Sequence, residues 1–185
     1  MLASRNAHKL RELSGLLRPV ELEPPPEGIE LPPETGTTFA ENALIKARAA
    51  AAATGRPAVA DDSGIEASAL AGAPGVYSAR YAGEDATDEQ NLAKLLNAVD
   101  PGGDTGVAYV CVLAYAEPDG REVLAEGHCE GTLTHHPRGV GGFGYDPAFV
   151  PADLYGDRTM SELEPAEKDA ISHRGRAARA LLERL

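Results

Sequence analysis

A chain of 185 residues, 43% hydrophobic and 25% charged, has the composition of one globular domain with a sizeable core. Its net charge of −12, from 29 acidic and 17 basic residues, argues against broad contact with a nucleic-acid polymer or an anionic membrane. No stretch is apolar for long enough to span a bilayer, and the first residues lack the apolar run of a secretory signal, so a cytoplasmic protein is expected.

Met1-Leu2-Ala3 predicts the tail of a first strand. Asn6 suits the cap of a helix running to about Leu17, with Leu10, Leu13, Leu16 and Leu17 on one face. Residues 18–36 hold six prolines and five glutamates, which predicts an extended crossing or loop. Thr38-Phe39-Ala40-Glu41 has the capping-box pattern and opens an Ala-rich helix that Gly55 ends. Residues 57–60 predict a short apolar strand, with Asp61-Asp62-Ser63-Gly64 at its end. Residues 71–84 read as loop and turn, and Asp88 to Ala98 as a third helix. Val107 to Tyr115 is continuously apolar, as in a strand buried on both faces. Pro118-Asp119-Gly120 predicts a hairpin turn, and Arg121 to Leu133 the returning strand. A loop rich in Gly, His and Pro spans Thr134 to Pro147, and its His135-His136 pair reads as surface rather than metal ligand. Pro165 to Leu185 predicts one terminal helix. Helices interleaved with strands predict a single α/β domain with a mixed sheet over residues 1–185. Cys111 and Cys129 are too few for a disulfide framework and wrongly spaced for zinc, so buried free thiols are expected.

Four constellations carry candidate chemistry. Asp61-Asp62-Ser63-Gly64 places two carboxylates at a strand end, where one enters a cleft and the other turns away. Such oxygen donors suit Mg²⁺, which takes one or two carboxylates plus phosphate oxygens; read locally, the same residues also make a polar turn. Ser4-Arg5-Asn6-Ala7-His8-Lys9 puts free N–H groups and a lysine at a helix start, a place that favours anions, although an Asn-capped surface helix is the simpler local reading. Gly139 to Pro147 contains G-x-G-x-x-G by letter, but Tyr145-Asp146-Pro147 follows instead of a helix, so a dinucleotide fold is rejected. Glycines there let a loop approach a ligand, with Phe143 and Tyr145 against a base ring and Asp146 accepting from it; a flexible loop with core aromatics is the alternative. Lys168 with His173-Arg174 suits phosphate or a base carbonyl, or else forms a solvated basic face.

The order of these motifs is more specific than any one of them. Ser4-Arg5-Asn6-x-x-Lys9, Glu34-Thr35-Gly36-x-Thr38-Phe39-x-Glu41-Asn42-Ala43 and Ala60-Asp61-Asp62-Ser63-Gly64 come first. Gly72-x-Pro74-Gly75-Val76-Tyr77-Ser78-Ala79-Arg80-Tyr81, Gly142-Phe143-Gly144-Tyr145-Asp146-Pro147 and Ala170-Ile171-Ser172-His173-Arg174 follow. This series, over essentially the whole chain, resembles the Ham1-like family of non-standard purine nucleoside triphosphate pyrophosphatases. The resemblance implies a mixed, twisted sheet with flanking helices and two lobes around a central active-site cleft. It implies Mg²⁺-dependent hydrolysis of dITP, ITP or XTP to the monophosphate and pyrophosphate by a cytoplasmic homodimer. By the same resemblance, Asp62 is the catalytic base and a metal ligand, Glu34 the second acidic position at the metal, and Ser63 a substrate contact. Asn6, Lys9 and Lys168 fall on the triphosphate side, within a substrate-binding set that also includes Ser4, Arg5, Ala7 and His8. Phe143, Gly144, Tyr145 and Asp146, with His173 and Arg174, form the base pocket. Ser4-Arg5 departs from the family's usual Thr-Gly, and Arg5 lacks the backbone freedom of glycine. A related pyrophosphatase with another nucleotide preference, or a non-catalytic nucleotide sensor, are the alternatives.

Overall fold

The computed structural model describes residues 1–18 and 20–185; Pro19, one of the six prolines of the expected loop, lies outside them. The first helix, α1 (Ala7–Leu16), is capped by Asn6, whose side chain accepts from the amides of His8 and Lys9. It buries Leu13 and Leu17 and packs Leu10 and Leu16 beside them. The described residues of 20–36 form neither helix nor strand, as the prolines require. Helix α2 (Phe39–Thr54) opens on a complete Thr38–Glu41 capping box and closes at Gly55 in the left-handed conformation.

Strand β1 (Ala58–Ala67) is longer than expected. Asp61-Asp62-Ser63-Gly64 lies in its middle, not at its end, because ladder pairing with β2 overrides the turn propensity of Asp, Ser and Gly. Short 3-10 turns at Gly75–Arg80 interrupt the expected loop, and helix α3 spans Asp88–Ala98 behind its own Thr87–Gln90 capping box. Strands β2 (Gly106–Ala116) and β3 (Glu122–Leu133) flank the Pro118-Asp119-Gly120 turn. A short β4 (Phe149–Pro151) pairs antiparallel with β3, Thr132 opposite Val150.

The four strands form one antiparallel sheet in the order β1-β2-β3-β4. The expected first strand reduces to an isolated parallel bridge between Leu2 and Val59, so the named strands make an antiparallel sheet where a mixed one was expected. The expected terminal helix is two helices, α4 (Pro165–Ile171) and α5 (His173–Leu182), because Ser172 adopts an extended conformation at ψ 153°. Lys168 therefore belongs to α4, and His173-Arg174 open α5. His135, read as a surface residue, is half-buried, with its Nε2 against the carbonyls of Leu96 and Val99 at the end of α3.

The chain divides into two compact units. One comprises Met1–Asp62, Cys111–Gly127 and His173–Leu185; the other comprises Ser63–Val110 and His128–Ser172. The core of the first gathers Leu2, Leu13, Leu17, Cys111, Leu113 and Leu181. The core of the second gathers Ile65, Leu95, Tyr109, Phe149, Met160 and Leu163. Both cysteines are buried free thiols, as expected.

In the first unit, Gly127 of β3 allows the start of α5 to approach closely. A Cβ there would stand 2.3 Å from the carbonyl oxygen of His173 and 2.4 Å from the amide nitrogen of Ala177. Both obstacles are backbone, so neither yields cheaply. Gly127→Ala is expected to destabilise the protein by about 3 kcal/mol through overpacking, measured as a lower urea midpoint at unchanged slope.

Candidate active site

In a strand, consecutive side chains point to opposite faces. Asp61 and Asp62 obey this and meet different partners. Asp61, 1% exposed, faces Lys9 Nζ at 2.9 Å and Arg174 Nε at 3.8 Å. Asp62, 5% exposed, accepts from Asn42 Nδ2 at 3.0 Å and lies 3.7 Å from Lys46 Nζ. The same ammonium is 2.5 Å from Glu34 Oε1. Lys46 thus stands between Glu34 and Asp62, the two carboxylates that the resemblance places at a metal.

Local structure explains how these groups converge. Asn42 and Lys46 are one turn apart on α2, on a buried face otherwise made of Phe39, Ala43, Ala47, Ala50 and Ala51. Small neighbours leave room for both polar side chains against β1. The Asn42 side chain has two tasks: its oxygen accepts from Gly36 N at 2.8 Å while its amide donates to Asp62. It thereby ties the loop that carries Glu34 to the strand that carries Asp62.

The charges balance unevenly. Burial pushes the Asp61 carboxyl up, but Lys9, Arg174 and Lys46 together outweigh it and hold the group at about 2. Burial also raises Asp62; there Lys46 opposes it, the Glu34 charge reinforces it, and the net direction is upward. Lys46 loses stability as a cation through burial, yet Asp61, Asp62 and Glu34 more than restore it, so its pKa rises. One ammonium is shared among three carboxylates. It is well compensated, while the share that reaches Asp62 does not cover that residue's burial.

Around this cluster, Arg174 also reaches Glu12 on α1 at 3.1 Å. His173 is buried beside it at the start of α5. The Asn6 side chain is occupied by its cap, Ser4 Oγ accepts from Asn6 N, and Arg5 donates to the carbonyl of Ile29 at 2.6 Å. Arg5 so braces the proline-rich loop. Ala7 and His8 lie exposed in the first turn of α1, and Ser63 is half-buried next to Asp62 on β1.

The second unit holds the aromatic loop. Asp146, 3% exposed, is its hub: its Oδ1 accepts from Tyr109 Oη at 3.0 Å, and its Oδ2 from Lys168 Nζ at 2.8 Å and Phe143 N at 3.0 Å. Lys168 lies over the Phe143 ring, 5.3 Å from its centroid. Lys168, which the resemblance places on the triphosphate side, thus has Asp146 and Phe143 as neighbours within this unit. Gly142 makes the tight loop possible, since its φ of +72° and the 2.0 Å that would separate an added Cβ from Asp146 Oδ2 both exclude a side chain. Gly144 N donates to Asp88 Oδ2, and Tyr145 Oη to the carbonyl of Ser78 at 2.7 Å. Burial, with Tyr81 and Asp88 nearby, pushes the Tyr145 hydroxyl far up, so it stays a neutral donor.

Among the described residues, no group of three or more His, Cys, Asp or Glu side chains is arranged to hold an ion. Asp62 and Glu34 supply two hard oxygen donors at a point where a cation, the Lys46 ammonium, is already accommodated. Such a pair fits an ion that draws its remaining ligands from phosphate oxygens and water.

Sequence reasoning passed over Lys46 and underrated Asp61. A polar pair at i and i+4 on a helical face otherwise made of Phe39 and alanines was the available signal for Lys46. None marked Asp61, whose importance depends on distant Lys9 and Arg174.

Residues 1–184 match the model of the Ham1 family. The chain is 48% identical to a dITP/XTP pyrophosphatase of Shigella flexneri, over all of this chain and 96% of that protein. It is 49% identical to one of Streptomyces coelicolor, over 98% of this chain and 94% of that protein. Its fold matches a HAM1 protein from Coxiella burnetii with a TM-score of 0.87 at 45% identity, covering 100% of this chain and 98% of that one. It also matches a nucleoside-triphosphatase, dITP/XTP pyrophosphatase, from Mycobacterium abscessus with a TM-score of 0.77 at 49% identity, covering 98% and 97%. A full-length match of this kind, with the six motifs in order, means that the chain belongs to the Ham1 family.

Proposed function

We propose that this chain hydrolyses the triphosphates of deaminated purines (dITP, ITP and XTP) to the monophosphate and pyrophosphate, and so clears them from the nucleotide pool. Full-length likeness, at nearly half identity, to proteins named dITP/XTP pyrophosphatases carries this reading. The paired carboxylates Asp62 and Glu34, with lysines on both faces of β1, give it a chemical basis.

In this reading a water attacks the α-phosphorus, a new P–O bond forms, and the bond to the bridging oxygen breaks with departure of pyrophosphate. Asp62 orients the water and takes its proton; burial and the Glu34 charge favour proton uptake there. Lys9 and Lys46 hold phosphate oxygens and offset the charge that builds on the leaving group. Mg²⁺, held by Asp62 and Glu34, would add Lewis-acid stabilisation of the phosphate oxygens. Donors of the His173-Arg174 segment read the 6-oxo group of the base. A 6-amino group leaves those donors unpaired, which disfavours adenine. The active species is a homodimer in the cytoplasm.

Pyrophosphate release from dITP, XTP and ATP, with and without EDTA, tests the proposal. Rates on dITP and XTP are expected to exceed that on ATP by about a hundredfold or more, and EDTA to abolish all of them. Equal turnover of ATP contradicts the base assignment, and full activity in EDTA contradicts the metal.

A further inference from the structure

We infer that Tyr109 is a positioning residue for base recognition, acting through Asp146. The inference rests on the proposed function, together with the family resemblance that places Phe143 and Lys168 against the substrate.

Tyr109 sits on β2, 6% exposed, with its ring stacked on Phe149 at a centroid distance of 4.5 Å. For that packing a phenylalanine would serve equally. The hydroxyl is therefore the informative atom. A hydroxyl taken into an apolar core costs free energy unless it is bonded, and this one ends on Asp146 Oδ1 at 3.0 Å.

Its effect spreads through the carboxylate. Asp146 has one oxygen on Tyr109 and the other on Lys168 Nζ and Phe143 N. A hydrogen bond from a strand residue to one oxygen resists rotation of the carboxylate. Its second oxygen then fixes both the ammonium of Lys168 and the backbone that sets the Phe143 ring. Without the hydroxyl, Asp146 keeps only the two donors it is meant to orient, and all three groups move together. Gly142, packed against the same Oδ2, transmits any such rotation to the loop. Tyr109 is the one member of this network anchored in the sheet rather than in the loop or in α4. It touches none of the reacting atoms, so its influence falls on substrate binding and not on the chemical step.

Tyr109→Phe tests this with steady-state kinetics on dITP, calorimetric binding of dIMP and a thermal melt. The KM for dITP and the Kd for dIMP are expected to rise about fivefold, the scale of one lost buried hydrogen bond, with kcat within twofold of wild type. Unchanged KM and Kd overturn the inference. So does a lower melting temperature with reduced kcat but constant KM and Kd, which marks a purely structural hydroxyl. The wild-type protein separates the two levels: absent pyrophosphate release from dITP removes the proposed function and this inference with it. Normal release with an indifferent Y109F removes the inference alone.

Discussion

Asp62→Asn is expected to lower kcat on dITP by about a thousandfold or more while leaving a folded protein. Asparagine keeps the shape, and its one amide oxygen can still accept from either Asn42 or Lys46, but it neither takes a proton nor carries charge to a metal. The stability side of this prediction follows from the direction of the Asp62 shift. Its folded pKa is raised, so the fold favours the protonated form, and ionisation near neutral pH works against folding. A neutral amide removes that opposition. The melting temperature should therefore stay level or rise, even as turnover collapses. A variant with near wild-type turnover would remove Asp62 from the centre of the chemistry, whatever its stability.

The adjacent carboxylate behaves in the opposite sense. Asp61→Asn is expected to cost about 3–5 kcal/mol at pH 7, because it leaves Lys9 and Arg174 charged and without their common buried counter-ion. Part of this follows from the depressed pKa of Asp61. Asp61 is held at about 2 against an ordinary value of 3.8, a gap that corresponds to about 2 kcal/mol. A depressed carboxylate contributes stability that is fully present above about 3.8 and is lost as pH falls through about 2. Urea titrations at pH 7 and in steps down to pH 2 check this. Wild type and D61N should differ most at neutral pH and converge at the acid end. A constant difference across the range would mean that Asp61 acts by packing rather than by charge.

Two neighbouring aspartates thus divide into one that holds the fold and one that strains it, and the sequence marks that division only in part. Strand alternation already requires Asp61 and Asp62 to face apart. The identity of their partners depends on α1, α2 and α5, brought to β1 from sequence separations that no local pattern encodes. Elements with strong local chemistry were legible. The Asn6 cap, the Thr38–Glu41 box and the Asp88–Ala98 helix fell where their residues predict. Elements decided by tertiary pairing were not. Ser63-Gly64-Ile65-Glu66-Ala67 continues β1 against its turn-forming residues, and Ser172 breaks the last helical run with no proline or glycine to announce it. Lys46 was hidden for a similar reason: a lysine in an Ala-rich helix reads as solvated until the helix packs that face inward.

The two cysteines lie one in each compact unit, Cys111 in the first and Cys129 in the second. Both are shielded from solvent, and burial beside Asp61 pushes the Cys111 thiol up to about 12. An alkylating reagent therefore needs the chain to open before it can attack either sulfur. The pair serves as two internal clocks. Their separate modification rates, resolved by peptide mass, measure whether the units open as one cooperative body or each on its own schedule, without any engineered probe.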